Sequence, residues 1–295
     1  GLIDSWKTKD PIQRFEEFLE EDGILTAKKK KKIKESFIED ISSSFEEALA
    51  LPHIIPNSQV EIDDLNQPFD AQHVQKPSKT SEKRFVDAIA DGLNEAMIKH
   101  PDLVLMGQDI ADYGGVFKVT EGMMDTYGKE RVRNTPLCES AIVGAALGLS
   151  IKGRKSMVEM QFSDFVTCGF NQIINNLAKI NWRWGQNADV VVRMPTGAGV
   201  AAGPFHSQST EAWFFHTPGL KVLYPSTPED AKGLLLSAFE DPNPVLFFEH
   251  KFLYRSLRGE VPDGYYTTEI GKARIVKEGA DMSIITYGLG VSWAE

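Results

Sequence analysis

The stretch "DVVVRM", residues 189–194, decides how the chain is read. Its apolar residues run without alternation, so a strand built from them must be buried on both faces. The same texture recurs in "LVLMG" (103–107), "SMVEMQF" (156–162), "KVLYP" (221–225) and "PVLFFEH" (244–250). Between these runs lie helical patterns, among them "EKRFVDAIADGLNEAMIK" (82–99) and "PEDAKGLLLSAFED" (228–241). Continuous apolar strands separated by helices predict an α/β fold, a parallel sheet with helices on both faces. Ligands of such a sheet gather in the loops beyond the carboxyl ends of its strands.

Away from this region the pattern changes on both sides. Residues 1–51 read as helices. Asp10 is placed as an N-cap with Pro11 behind it, and Gly23 as the terminator. Ile33, Phe37, Ile41, Phe45 and Leu49, at spacing four, make a second amphipathic helix. Two such helices bury too little to form a domain alone and are expected to pack on something else. "PHIIPNSQVEIDDLNQPFDAQHVQKPSK" (52–79) carries prolines and polar residues without a period and reads as a linker. Residues 80–258 then form the sheet domain, and a fresh unit is expected over 259–295, with a strand at "DMSIITYG" (281–288).

Composition narrows the function. A net charge of −10 argues against nucleic acid as a partner, because phosphate backbones are held by clustered Lys and Arg. The one basic block, "KKKKK" (28–32), sits among acidic residues and reads as a solvated helix face. Cys138 and Cys168 give neither a disulfide framework nor metal-ligand spacing and suit a reducing, cytoplasmic setting. No apolar run approaches the roughly 20 residues of a membrane span. The first residues lack a signal-peptide pattern and an initiator Met, so the chain is expected to be a piece of something longer.

The candidate chemistry lies near the predicted strand ends. "NTPLCESAIVGAALGLSIKG" (134–153) places one carboxylate, Glu139, at the head of a run of small and apolar residues. It is either an ordinary acid of a helix's first turn or a catalytic acid in a dry pocket. Gln161 and Phe165 follow a strand end and could line a flat heteroaromatic ligand; core packing is the plainer reading of Phe165 alone. Asp164 reads as a helix-start acid. The glycine-rich "MPTGAGVAAGPFHSQST" (194–210) presents His206 among small polar residues, as a proton carrier or, on residue type alone, as a helix cap. The amide-rich "NQIINNLAKINWRW" (171–184) reads as one helix used for a contact between domains or subunits. "GLSIKGRKS" (148–156) fails as a phosphate loop, since Arg154 intrudes and the segment precedes a strand.

Several of these segments together resemble one family. "NTPLCESAIVGAALG", "EMQFSDF", "FHSQSTEAWFFHTPGLKVLYPSTPEDAKGLL" and "EDPNPVLFFEHKFLYR" are similar to the beta half of the decarboxylating component of thiamine-dependent 2-oxoacid dehydrogenases. "TPLCE" is nearest to the branched-chain, or 2-oxoisovalerate, type. "SWKTKDPIQRFEEFL" resembles the C-terminal helices of the alpha half, so 1–51 would be alpha and 80–258 a transketolase-like pyrimidine-binding domain. Residues 259–295 would begin a truncated C-terminal transketolase-like domain.

The resemblance implies thiamine diphosphate as cofactor. Glu139 would face its aminopyrimidine and promote the tautomer that activates the thiazolium. Leu137 and Gln161 would lie beside that ring, and Phe165 would stand where relatives often have Tyr. His206 would supply a proton when the acyl group passes to lipoamide. The family's potassium site, mainly backbone carbonyls, maps onto Val190, Val191, Ala238, Asp241 and Asn243, residues that read equally well as a plain turn. The magnesium-binding "GDG" motif of the alpha half does not occur in the sequence. Magnesium ligands are therefore expected in the alpha half, and the chain alone is expected to be inactive. Partners implied are that alpha half, a lipoyl-bearing acyltransferase, and a dimeric or alpha2beta2-like assembly. Pyruvate or acetoin dehydrogenase is the alternative activity. An assembly module without catalysis is the alternative of another class, and "FHSQS" disfavours a transketolase-like synthase.

Overall fold

A computed structural model describes residues 1–295, which divide into two compact units, Gly1–Asn57 and Ser58–Glu295. The first holds helices α1 (Leu2–Lys7), α2 (Pro11–Glu21) and α3 (Ala27–Ala50). Asp10 caps α2 by accepting from the backbone N–H groups of Ile12 (2.7 Å) and Gln13 (3.3 Å), with Pro11 at the first helical position. Gly23 ends the turn at φ +70°, a conformation that glycine adopts without steric cost. The lysine block lies on α3 as an acid-paired surface, with Lys30 2.6 Å from Glu16 on α2. Phe37, Ile41, Phe45 and Leu49 are all exposed.

The second unit runs α4 (Ser58–Asp63), β1 (Thr80–Arg84), α5 (Phe85–Lys99), β2 (Val104–Gly107), α6 (Met123–Tyr127), β3 (Val132–Asn134), α7 (Glu139–Ile151) and β4 (Ser156–Glu159). After a 3₁₀ turn at Ser163–Gly169 and a π-helical turn at Gln172–Leu177 come α8 (Ile180–Trp184), β5 (Val190–Thr196), β6 (Lys221–Leu223) and α9 (Pro228–Glu240). The last elements are β7 (Val245–His250), α10 (Leu253–Ser256), β8 (Arg258–Pro262) and α11 (Leu289–Ala294). No helix is long and apolar enough to cross a membrane.

Six strands form one parallel sheet in the order β3-β2-β4-β5-β7-β6. Successive side chains along a strand go to opposite layers. Leu105, Met157, Val191, Val245 and Phe247 join α5 and α9 in one core. Val104, Met106, Val158, Val192, Leu246 and Phe248 join α7 and the 163–184 segment in the other. This is the doubly covered parallel sheet that the continuous apolar runs predict. The chain leaves β2 for β3 on one side and then crosses to β4 on the other. The strand order therefore reverses between β2 and β4, where α/β sheets open a crevice at their carboxyl ends.

Three expectations are corrected here. The 52–79 segment is not wholly a linker: Ser58–Asp63 is helical, and beyond it the chain is tied down by side chains. Asn243 accepts from the Gln67 N–H at 2.7 Å and donates to its carbonyl at 3.0 Å, while Thr267 Oγ1 accepts from the Val74 N–H at 2.8 Å. "DMSIITYG" forms no strand, and Ile284 and Ile285 are exposed, because no neighbouring strand is present for it to pair with. The amide-rich segment is a π-helical turn followed by α8, not one helix. Its Ile173, Leu177 and Ile180 are buried in this unit's own core, so that stripe does not face a partner.

Candidate active site

Three strand ends converge at the crevice. β2 hands over to Gln108 and Asp109, β3 to the turn Thr135–Cys138 that enters α7, and β4 to Gln161 and Phe162. Glu139 is the first residue of α7 and is buried, 7% exposed. The N-cap, Cys138, makes no side-chain cap, so the carboxylate itself is the acidic group at the positive end of the helix dipole. Gln108 Nε2 donates to Glu139 Oε1 at 3.1 Å. The 163–169 turn closes against this helix head, and it does so through Gly169, where a Cβ would lie 3.3 Å from the Glu139 carbonyl oxygen. The residue after Gln108, Asp109, accepts from Gln161 Nε2 at 3.1 Å. Consecutive residues at the end of one strand thus bring Glu139 and Gln161 to one crevice. Leu137, before the helix, projects into solvent, 81% exposed.

An aromatic group forms the other side. Phe162 meets Phe165 edge-on at 5.7 Å and the His206 ring at 4.7 Å, and Phe165 meets His206 at 5.5 Å. His206 ends a short 3₁₀ turn, Pro204–His206, and caps no α-helix; the segment after it is another 3₁₀ turn, Glu211–Trp213. Its loop begins at Gly197, whose N–H donates to the Gln208 carbonyl at 2.9 Å. Gly197 sits at φ +83°, and a Cβ there would come within 2.3 Å of His250 Nε2. The glycine is required by that close approach.

Beneath the strand ends lies a charged cluster almost wholly cut off from solvent. Arg193 on β5 donates to Glu159 Oε2 of β4 at 2.6 Å and to both carboxylate oxygens of Glu249 on β7 at 2.6 Å. The Tyr254 hydroxyl donates to Glu249 Oε2 at 2.6 Å. Burial alone would lower the Arg193 pKa, but Glu249 and Glu159 outweigh it and keep the guanidinium charged. Burial raises Glu159, against Arg193, and raises Tyr254, with Glu249 adding to the effect. The cluster ties the middle of β5 to the carboxyl-terminal parts of β4 and β7 and holds Tyr254 edge-on to Phe117, which in turn touches Phe162.

The five residues mapped to a potassium site lie at the opposite, amino end of the sheet. Val190 and Val191 open β5 and are buried in the two cores. Ala238, on α9, is buried in the core. Asp241 accepts from the Asn243 N–H and side-chain amide, both at 2.9 Å, and pairs with Lys221; Asn243 is bonded to Gln67. These side chains satisfy one another and do not themselves make a cation site. No group of three or more His, Cys, Asp or Glu side chains is placed to hold a metal ion.

Four residues of the crevice escaped the sequence reading: Gln108, Asp109, Phe162 and the buried Lys251 beside Phe162. The first two stand directly after a predicted apolar strand, which is the signal that could have found them.

The loops after these strand ends thus carry a buried carboxylate bonded to the Gln108 amide, the Gln161–Asp109 pair, and a cluster of Phe162, Phe165 and His206 rings. Residues 81–256 match the family described as "Transketolase, pyrimidine binding domain", and the chain belongs to that family. Within it, the chain is similar to 2-oxoisovalerate dehydrogenase subunit beta of Bacillus subtilis (strain 168), 48% identical over 212 residues, 71% of this chain and 65% of the relative. It is 45% identical over 223 residues to the mitochondrial 2-oxoisovalerate dehydrogenase subunit beta of Dictyostelium discoideum, 75% and 60% of the two chains. It is also 44% identical over 206 residues to the pyruvate dehydrogenase E1 component subunit beta of Acholeplasma laidlawii, 69% and 63%. The chain thus spans just under two thirds of the length of these relatives.

Proposed function

We propose that this domain supplies the aminopyrimidine side of a thiamine diphosphate site in a 2-oxoacid dehydrogenase. The enzyme would decarboxylate a branched-chain 2-oxo acid, 2-oxoisovalerate, and pass the acyl group to a lipoyl-bearing acyltransferase. The observation that carries this reading is Glu139, a buried carboxylate fixed by Gln108 at the switch point of a pyrimidine-binding fold.

Bound thiamine diphosphate supplies the electron sink that a 2-oxo acid needs to lose carbon dioxide. This chain's residues do the rest of the work on its side. Glu139 offers a carboxyl oxygen to a ring nitrogen, and the low-dielectric surround strengthens that hydrogen bond. Gln108 keeps the carboxyl from turning away. Phe165 and Phe162 exclude water from one side and give His206 a fixed edge-on seat, from which it would protonate the thiolate released when one lipoyl sulfur takes the acyl group and the S–S bond opens. Phe165 lacks the hydroxyl of a tyrosine, so no hydrogen bond is made from its ring. Leu137, at the mouth, is placed to contact the cofactor ring or the facing protein half.

The diphosphate and its magnesium are assigned to an alpha half, of which α1–α3 would be the end, and residues beyond 259 to the start of a further domain. The assembly is then dimeric or alpha2beta2-like. Potassium, if used, would be held by backbone carbonyls of Val190, Val191, Ala238, Asp241 and Asn243. A pyruvate substrate is the second reading, favoured by the 44% identity to a pyruvate dehydrogenase beta subunit. The test is an assay of the full-length protein with its partners on 2-oxoisovalerate, pyruvate and 2-oxoglutarate. Fastest turnover of 2-oxoisovalerate is expected. Equal or faster turnover of pyruvate moves the assignment to the second reading, and turnover of none leaves only a role in assembly.

A further inference from the structure

Around Phe162 two opposite charges are buried, each with a polar atom unsatisfied. Asp164 is 6% exposed and Lys251 is 2% exposed. Asp164 Oδ2 and Lys251 Nζ are both without a hydrogen-bond partner. The other oxygen, Oδ1, accepts from the backbone N–H of Ser207 and of Gln208, both at 3.1 Å. These are the two residues that follow His206. Lys251 Nζ lies 5.3 Å from the centre of the Phe162 ring, the ring on whose edge or face His206 rests. Its own backbone N–H donates to the Thr196 carbonyl at 3.0 Å, at the root of the same loop.

We propose that Asp164 and Lys251 are a buried, charge-coupled positioning pair that seats the His206 loop. Asp164 grips the loop from below through two charge-assisted hydrogen bonds, while Lys251 compensates the buried carboxylate and presses Phe162 against the histidine. A lone buried charge costs several kcal/mol, so each member is tolerable only with the other. The helix-start reading of Asp164 does not account for this, because its carboxylate bonds to the distant 207–208 backbone, not to the turn that it begins. Burial pushes the Lys251 ammonium down to about 8, and Asp164 is the group that opposes that fall. The ammonium is then mostly charged at neutral pH. The proposal rests on the functional reading above only for the use made of His206; the pairing itself is a property of the chain.

The test is a double-mutant cycle in the full chain with Asp164→Asn, Lys251→Met and both together. Asn keeps the shape and an acceptor but removes the charge, and Met keeps the apolar stem. Two readouts are taken: the rate of limited proteolysis within 197–208, and the His206 imidazole resonances. Each single substitution is expected to speed cleavage about tenfold and to shift or broaden the His206 signals, with the double variant returning to within about twofold of the parent. A single variant that fails to fold while the double folds also supports the pairing. Singles without effect, effects that simply add, or a double variant that does not fold overturn it. In the assembled enzyme, the singles should lower acyl transfer to a lipoyl domain more than decarboxylation. If the parent assembly decarboxylates no 2-oxo acid, the functional reading fails while the proteolysis and resonance data still decide the pairing.

Discussion

The side-chain amide of Gln108 donates to Glu139 Oε1 at 3.1 Å, joining the end of β2 to the first residue of α7. Both residues are buried, so this bond does more than a surface contact would. Replacing Gln108 with Leu leaves a buried carboxylate oxygen without its donor. We expect a loss of roughly 1–3 kcal/mol in stability, measured by urea denaturation, and a fall in decarboxylation larger than the fall in stability explains. An unchanged denaturation midpoint would show that Glu139 finds another partner.

Gly197→Ala should both strain and displace the His206 loop. An L-residue at φ +83° is unfavourable, and its Cβ would collide with the His250 ring at 2.3 Å. The expected cost is on the order of 1–3 kcal/mol, read as a lower melting temperature. The substitution should weaken acyl transfer as well, since the 197–208 loop cannot keep its bond between Gly197 and Gln208.

Arg193→Met tests the buried cluster. It removes the only cation between Glu159 and Glu249 and leaves two carboxylates facing one another without solvent. The expected loss is roughly 3–5 kcal/mol. Replacing all three with apolar residues of similar size should recover part of it, which urea denaturation of the single and triple variants checks.

Stability should also fall on mild acidification. Burial, and then Lys251, hold the His250 pKa down to about 4 from an ordinary value of 6.5. The unfolded chain therefore takes up a proton first as the pH drops below 6.5. The folded state loses stability between pH 6.5 and about 4, by at most about 1.4 kcal/mol per pH unit. Denaturation of the parent at pH 7 and pH 5, set against His250→Gln, measures this; the variant should show the shallower dependence.

Much of the fold was readable because its central strands are buried on both faces and so carry no alternation to confuse them with edge strands. β1 and β8, "TSEKR" and "RGEVP", were missed for the complementary reason. They pair only with each other, are partly exposed and read as polar loop. "DMSIITYG" was overread, because apolar β-formers make a strand only where a neighbour offers hydrogen bonds. At the site, Glu139 stood out as a lone charge in small and apolar company, and His206 as a histidine on a glycine-rich loop among small polar residues. Gln108 was within reach, since it directly follows an apolar strand, whereas the contacts of Asp164 and Lys251 join segments far apart in sequence, and no local pattern records those.

The central claim is that Glu139 activates a bound thiamine ring, and Glu139→Gln tests it most directly. Gln is isosteric and can still bond to Gln108, so the fold should melt as the parent does. The full-length enzyme carrying Glu139→Gln, assayed with its partners, thiamine diphosphate and 2-oxoisovalerate, is expected to decarboxylate at least about a hundredfold more slowly. Decarboxylation within a few-fold of the parent, with cofactor bound, would contradict the account and leave Glu139 as an ordinary acid of a helix's first turn.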